Sequence, residues 1–548
     1  MDCFVLKVMR LILPNENGQS FAVIILIQLP SPMLILVPCL LLFATTLILI
    51  ALRAARPAAR FAWLAAVAGS MLAFASVFFW LAQMPIDLTL PAWQPAGLFI
   101  SRVSFRADGL SWPMALSVTA LTLTMLLTAV ARPVVASSYT WAGALMLGGI
   151  GILAVTADNP LTLLLVWAAL DITELLSHLV YVQGAANNEK VVISFSTRAL
   201  GIGILLWANI SSIASGNDFN FQSMPPGSGI FLVMAAGLRL GVLPLHLPYS
   251  AESTLRRGFG TSLRLTSAVS SLMVLAHIPA ESSSAFTPIL LGFAVMAAIY
   301  GGWMWLRAPD ELTGRPYWVI GLAALSVIAA LSGSPMGAVA WGCVLILVGG
   351  ALFLASVQQA WLNRALLAGA WSLSALPFSL TAGAWTGNLV FSIPFVVAAQ
   401  ALLTAGFIRH ALRPSGRDSL ESQPAWTRAV YPAGIILLIA CQILLGFFGW
   451  DGALQIGAWV QAAIASLLTF GLVWATPRLR ILNPVRAHWV KSPAASRMDE
   501  FYGGIWTVYR LLGSISQAIN TTLEGESGIM WTLLFLVIFV SLLTQGLP

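Results

Sequence analysis

The stretch GLRLGVLPLHLPYSAESTLRRGFGTSLRLT, residues 237–266, places an arginine inside an apolar segment that then breaks at Pro244 and Pro248. Arg239 lies well into the apolar run that begins near Ile230, deep enough to sit within a hydrocarbon layer. A charge at that depth costs on the order of 3 kcal/mol or more even on lenient insertion scales, so it marks a polar interior or a function. A spanning helix breaks only where protein or a water-filled cavity covers the freed backbone groups. The stretch therefore predicts a buried polar pocket at mid-membrane.

The composition of the whole chain agrees with that setting. It is 59% hydrophobic and 9% charged, with a mean hydropathy of +0.89 and 21 tryptophans, which describes an all-α polytopic membrane protein and excludes a soluble enzyme. The net charge of +7 would suggest nucleic acid in a soluble domain. Here it comes mostly from loop arginines, which read as topology signals, so no nucleic-acid partner is expected. Cys3, Cys39, Cys343 and Cys441 stand isolated, mostly in apolar runs, and offer no metal, cluster or haem spacing. No cofactor, metal site, nucleotide loop or soluble small-molecule substrate is expected, and enzyme activity of this chain alone is not expected.

Residues 1–32 form an uncertain N-terminal extension without a small-residue cleavage site, and translation beginning at Met33 is an alternative. From there about sixteen segments have spanning length. They run near 33–53, 61–83, 110–131, 139–157, 160–183, 191–213, 229–247, 257–278, 286–306, 316–333, 335–357, 363–384, 388–410, 429–449, 453–475 and 529–547. Odd-numbered loops carry Arg53, Arg56, Arg60, Arg132, Lys190, Arg256, Arg257, Arg307, Arg315, Arg364, Arg409, Arg413 and Arg417, then the 478–497 segment, whereas even-numbered loops carry only Arg102 and Arg106. The positive-inside rule puts the odd loops in the cytoplasm and both termini outside, in what reads as a bacterial cytoplasmic membrane. Residues 88–108 alternate apolar and polar and read either as a short external hairpin or as a surface segment. Within 499–527, Phe501, Ile505, Val508, Leu512, Ile515, Ile519 and Leu523 make one apolar stripe. That stripe describes a lateral amphipathic helix about 35 Å long, lying along the bilayer edge or bracing a neighbouring subunit.

Charges inside the spans are few and patterned. Asp171, Glu174 and His178 recur at spacings of three and four and share one helix face. Such a stripe either glues helices through hydrogen bonds or forms part of a proton path, because burial brings carboxylates toward exchange near neutral pH. Arg198 either joins that interior or snorkels to headgroups. The break adds Arg239, His246 and Glu252, with Arg264 on the next span. His246 either satisfies carbonyls freed by Pro244 or transfers protons, and Arg264 either pairs with Glu252 or snorkels.

Three stretches carry a family resemblance: VSFRADGLSW at 103–112, DNPLTLLLVWAALDITELLSHLV at 158–180 and GLRLGVLPLHLPYSAE at 237–252. Over residues 100 to 390 the chain resembles the antiporter-like, proton-translocating membrane subunits of complex I (NADH:quinone oxidoreductase) and of Mrp cation/proton antiporters. It is most similar to the large distal subunit, with its sixteen spans and lateral helix. Asp171 followed by Ser177 matches the family's acid and serine, and Arg239 stands five residues before Pro244-Leu245-His246, where the family has lysine. The resemblance implies two pseudo-symmetric five-helix repeats with broken helices. On that reading 33–109 holds N-terminal spans and an external loop, and 110–278 the first repeat with its break at 239–252. Residues 286–410 hold a second, charge-poor repeat, 429–475 additional spans, and 529–547 the terminal span.

The resemblance further implies a buried acid–base pair, Asp171 with Arg239, in a subunit of a multisubunit membrane complex that translocates protons or other cations. Departures from the pattern narrow this. Arginine keeps its proton to above about pH 12, so Arg239 fixes a field where lysine relays. Gly387, in LPFSLTAGAWTGN at 376–388, stands where the family has a second charge. The segment 342–359 lacks the family's histidine and lysine, and APDELTGRPYW at 308–318 lacks its basic pair. The alternatives are a degenerate, non-conducting scaffold subunit, or a membrane subunit of a membrane-bound hydrogenase or an inorganic-carbon-accumulating complex.

Overall fold

The computed structural model describes residues 31–55, 61–91, 101–132, 138–181, 185–214, 216, 219–221, 224–247, 257–278, 286–357, 359–385, 392–413, 419–448, 456–475 and 507. All but residue 507 belong to one compact unit that ends at Pro484. Residues 1–30, Glu252, Gly387, the expected lateral helix at 499–527 and the expected span at 529–547 lie outside the described residues or, at 507, are described by one residue only.

In chain order the helices are α1 Leu36–Ala55, α2 Ala62–Phe79, α3 Ser111–Thr128, α4 Ser138–Val155, α5 Pro160–Tyr181, α6 Ala185–Ala214, α7 Gly229–Arg239 and α8 Phe259–Ala276. They continue as α9 Thr287–Arg307, α10 Glu311–Leu331, α11 Pro335–Leu354, α12 Ala360–Leu366, α13 Ala368–Leu373, α14 Ile393–Ala411, α15 Ala425–Phe448 and α16 Ile456–Ala475. Twelve candidate spans, by length and composition, occur among the described residues, with Gly229–Arg239 and Trp459–Ala475 as shorter apolar helices. The chain is thus an integral membrane protein of helical architecture.

The bundle has a centre. The apolar windows of α8 and α11 are 100% buried, against 39% for α2, α6 and α9, so α8 and α11 face protein on all sides while the others present a face outward. They pack on each other, with α4 and α7 also against α8, and α3, α10 and α15 also against α11. Buried polar side chains on these helices are satisfied locally. Ser117, Thr122 and Thr128 of α3 bond back to the carbonyls of Pro113, Val118 and Thr124 at 2.7, 2.9 and 2.8 Å, which lets a hydroxyl-rich helix sit in a dry interior. Indoles tie helices together instead: Trp80 donates to the Leu34 carbonyl at 3.0 Å, Trp112 to Val77 at 3.0 Å, Trp305 to Leu403 at 3.2 Å and Trp318 to Leu345 at 3.2 Å.

Four features differ from the sequence reading. Residues 86–107 add a small sheet to the all-α expectation: β1 Ile86–Thr89 pairs antiparallel with β2 Ser104–Ala107, setting Asp87 opposite Arg106. Asp108 then caps α3, its Oδ1 accepting from the backbone amides of Leu110 and Ser111 at 3.0 and 2.9 Å. The span expected from 316 begins at Glu311, because Asp310 accepts from the amides of Leu312 and Thr313 and nucleates the helix ahead of Pro316. Arg315 is therefore a buried helix residue and not a loop charge. The span expected over 363–384 is not one helix: it stops at Leu373, and a turn through Ala375 and Phe378, both at positive φ, leads to a short 3-10 segment, Ala382–Trp385.

Close helix approach depends on one glycine in particular. A Cβ at Gly301 of α9 would fall 2.6 Å from the Gly321 nitrogen and 2.9 Å from the Tyr317 carbonyl oxygen, backbone atoms that cannot rotate away. Replacing Gly301 by Val should force α9 off α10 at a cost of about 1–3 kcal/mol. The expected result is a lower thermal midpoint in detergent, with Gly292→Val, where a Cβ meets nothing within 4 Å, close to wild type.

Candidate functional site

The first break follows α7 directly. Gly241, at φ +74°, turns the chain; the amides of Val242 and Leu243 return to the Gly237 carbonyl at 2.8 and 3.1 Å, and the His246 amide bonds the Gly241 carbonyl at 3.0 Å. The carbonyls freed by the break thus find partners inside it. His246 belongs to this turn, its Nδ1 lying 2.8 Å from the Pro244 carbonyl oxygen.

Ending α7 at Arg239 aims its guanidinium across the bundle at α5. Arg239 Nη1 and Nη2 meet Asp171 Oδ2 and Oδ1 at 2.6 and 2.8 Å, a two-pronged pair with both side chains 1% exposed. Nη1 also donates to the Arg198 carbonyl at 3.1 Å, Nε donates to Ser271 Oγ at 3.2 Å, and the Trp167 ring covers the guanidinium carbon at 4.2 Å. Gly201 of α6 makes room: a Cβ there would stand 2.6 Å from Arg239 Cγ.

A second pair adjoins the first. Arg198 Nη1 donates to Glu174 Oε1 at 2.5 Å, and Arg198 Nε stands 3.3 Å from Asp171 Oδ1. His178, one turn further along α5, places Nε2 3.7 Å from the same Glu174 oxygen. All five groups are buried. Two carboxylates balance two guanidiniums, so the cluster is neutral while His178 is neutral. Arg198 is an interior residue that closes the network, and the snorkelling alternative does not hold for it. Among the described residues Glu174 Oε2 and His178 Nδ1 have no hydrogen-bond partner; they are the cluster's unspent capacity.

The remaining expected residues lie apart or outside. Arg264 is buried on α8, and Glu252 is not among the described residues. Three partners were missed from sequence. Trp167 precedes Asp171 by four and so belongs to the same stripe, a signal that spacing could have supplied. Ser271 comes from another helix and gave none, whereas Gly201, with Gly203, reads in sequence as a close-packing glycine without its partner. No group of three His, Cys, Asp or Glu suited to a metal occurs among the described residues.

The second break is built differently. Thr381 Oγ1 donates to the Ser372 carbonyl at 2.8 Å and accepts from the Ala375 amide at 3.0 Å; Gln400 Nε2 donates to the Leu373 carbonyl at 2.6 Å, and Ser372 Oγ to Gln442 Oε1 at 3.2 Å. From 366 to 385 there is no charged residue or histidine. Neutral amides and hydroxyls hold this turn where ions hold the first.

Comparison with solved structures places this architecture. A chain of the Mrp complex from Dietzia sp. matches with a TM-score of 0.65 and 14% identity over 94% of this chain and 63% of that one. A chain of the membrane-bound sulfane sulfur reductase, an archaeal respiratory membrane complex, matches at 0.60 and 13% identity over 93% of this chain and 100% of that one. A chain of respiratory complex I from Thermus thermophilus matches at 0.59 and 19% identity over 80% and 100%. The fold is shared with chains of these three membrane complexes. This chain spans 63% of the length of the Mrp chain. No family model matches the sequence, and no curated sequence does; at these identities the likeness to the three membrane complexes is one of fold.

The Asp171–Arg239 pair should behave as one unit. Asp171→Asn alone leaves a buried guanidinium without its carboxylate and should cost about 3–5 kcal/mol, seen as loss of folded protein or a lowered thermal midpoint. Asp171→Asn combined with Arg239→Gln should recover part of that loss. Additive losses in the double variant would show that the two side chains do not depend on each other.

Proposed function

We propose that the chain is an antiporter-like membrane subunit of a multisubunit assembly of the complex I or Mrp kind, and that it takes part in moving protons across the membrane. The observation carrying this reading is the Glu174–His178 end of the buried network, where a carboxylate oxygen and an imidazole nitrogen stay unspent beside a locked ion pair. Arg239 and Asp171 supply a fixed field. Glu174 and His178 are the groups in this cluster able to accept or release a proton, and Arg198 senses either change through its direct contact with Glu174. The reading includes two broken-helix halves, arginine-rich loops and both termini on opposite faces as the positive-inside rule sets them, and neighbouring membrane subunits as partners.

A second reading, a subunit that keeps the fold and seals or extends a membrane arm without conducting, is favoured by the charge-free second break. The whole assembly, reconstituted in vesicles with a pH-sensitive dye, separates the two. Glu174→Gln should leave assembly intact and lower proton flux about tenfold or more, and His178→Gln should lower it in the same direction. Wild-type flux in both variants would leave the scaffold as the function.

A further inference from the structure

Arg132 follows the 3-10 turn that ends α3 and is partly buried. Its Nη2 donates to Thr128 Oγ1 on its own helix at 3.0 Å, and its buried Nε has no acceptor among the described residues. A Cβ on Gly258, at φ +69°, would stand 2.0 Å from Arg132 Nη1. That glycine seats the guanidinium against bare backbone.

The charge acting on Arg132 has its own sign. Arg257 is already engaged by Glu311 and by the carbonyls of Phe353, at 3.2 Å, and Ala355. Burial, with Arg257 adding to it, pulls the Arg132 guanidinium down to about 10. Tyr431, also acting on Arg132, spends its oxygen on the amides of Ser356 and Val357 at 2.6 and 3.1 Å, leaving its hydroxyl hydrogen to donate. The carbonyls at the end of α3 offset part of the charge, yet no carboxylate joins Arg132 among the described residues.

Depth supplies a second, independent observation. Arg132 is the first residue beyond the span Ser111–Ala131. On the same side, Trp63 donates to the Leu126 carbonyl at 2.9 Å and meets the exposed Trp426 edge to face at 5.9 Å. Tryptophans gather at the headgroup level of a bilayer. A fork of guanidinium donors at that level matches the oxygens of a phosphate.

The geometry points to Arg132, seated on Gly258, as an oxyanion site at the loop end of α3, built to take a phosphate group. Either the headgroup of an anionic phospholipid or free phosphate carries that group. The site is separate from the mid-membrane network and does not depend on whether the chain conducts.

The test measures the thermal midpoint of the purified assembly under two comparisons. In detergent, sodium phosphate is compared with sodium chloride at matched ionic strength; in nanodiscs, phosphatidylcholine is compared with phosphatidylcholine containing phosphatidylglycerol. Wild type should gain a few degrees in at least one comparison, with the gain absent in Arg132→Gln and reduced in Arg132→Lys, which keeps the charge but not the fork. A gain from phosphatidylglycerol alone identifies a headgroup site, and a gain from phosphate as well identifies a free-oxyanion site. Should Arg132→Gln fail to accumulate, wild type against Arg132→Lys decides. No gain in wild type, or an equal gain in wild type and Arg132→Lys, overturns the site.

Discussion

A two-pronged arginine–carboxylate pair inside a membrane bundle cannot be halved without leaving a bare charge in a medium that does not solvate it. The geometry around Asp171 and Arg239 follows from that constraint. Helix α7 ends where its last turn presents Arg239 to α5, with the cation at the end of the helix that favours it. Gly201 withholds a side chain so that the arginine stem can pass α6, and Trp167 closes over the guanidinium. The break after α7 serves the same end, because a continuous helix would carry its next residues past the network instead of folding Gly241 to His246 back on themselves.

What the sequence made legible is what periodicity and proline mark. Asp171, Glu174 and His178 fall on one face through helical spacing alone, and Pro244 with Arg239 announces a broken helix around a buried charge. The second break was placed at 376–388 only through the resemblance, and the helix ends earlier, at Leu373. Its turn places Ala375 and Phe378 in a left-handed conformation that neither residue type favours, so no residue preference could have announced it. Helix α10 starts early through an aspartate cap that sits in a stretch reading as loop. Contacts made across helices, such as Ser271 to Arg239 or the indoles to distant carbonyls, depend on packing and leave no local pattern.

Helices α8 and α11, at the centre of the bundle, adjoin two clusters of different chemistry. On α8, Ser271 accepts from Arg239 and Thr261 accepts from Arg315 of α10 at 2.7 Å. One buried helix therefore touches both the Asp171–Arg239 pair and a cation on α10. Beyond α11, the Ser372, Thr381, Gln400 and Gln442 cluster carries no formal charge. Ion pairs hold geometry against large restoring forces, whereas amide and hydroxyl networks rearrange at lower cost. The ion-paired cluster is thus electrostatically stiffer than the neutral one.

Arginine at position 239 changes what such a stiff cluster can do. A lysine in a buried pair can lose its proton, whereas arginine stays charged, so Arg239 holds a fixed positive charge beside Asp171. The cluster sums to zero with His178 neutral. A proton arriving on His178 or Glu174 therefore leaves one uncompensated positive charge in a low-dielectric interior, and Arg198, bonded to Glu174 and near Asp171, is the cation in direct contact with it. In the proposed role, response is confined to Glu174, His178 and Arg198. The Arg239 charge acts as the reference against which that single charge is felt.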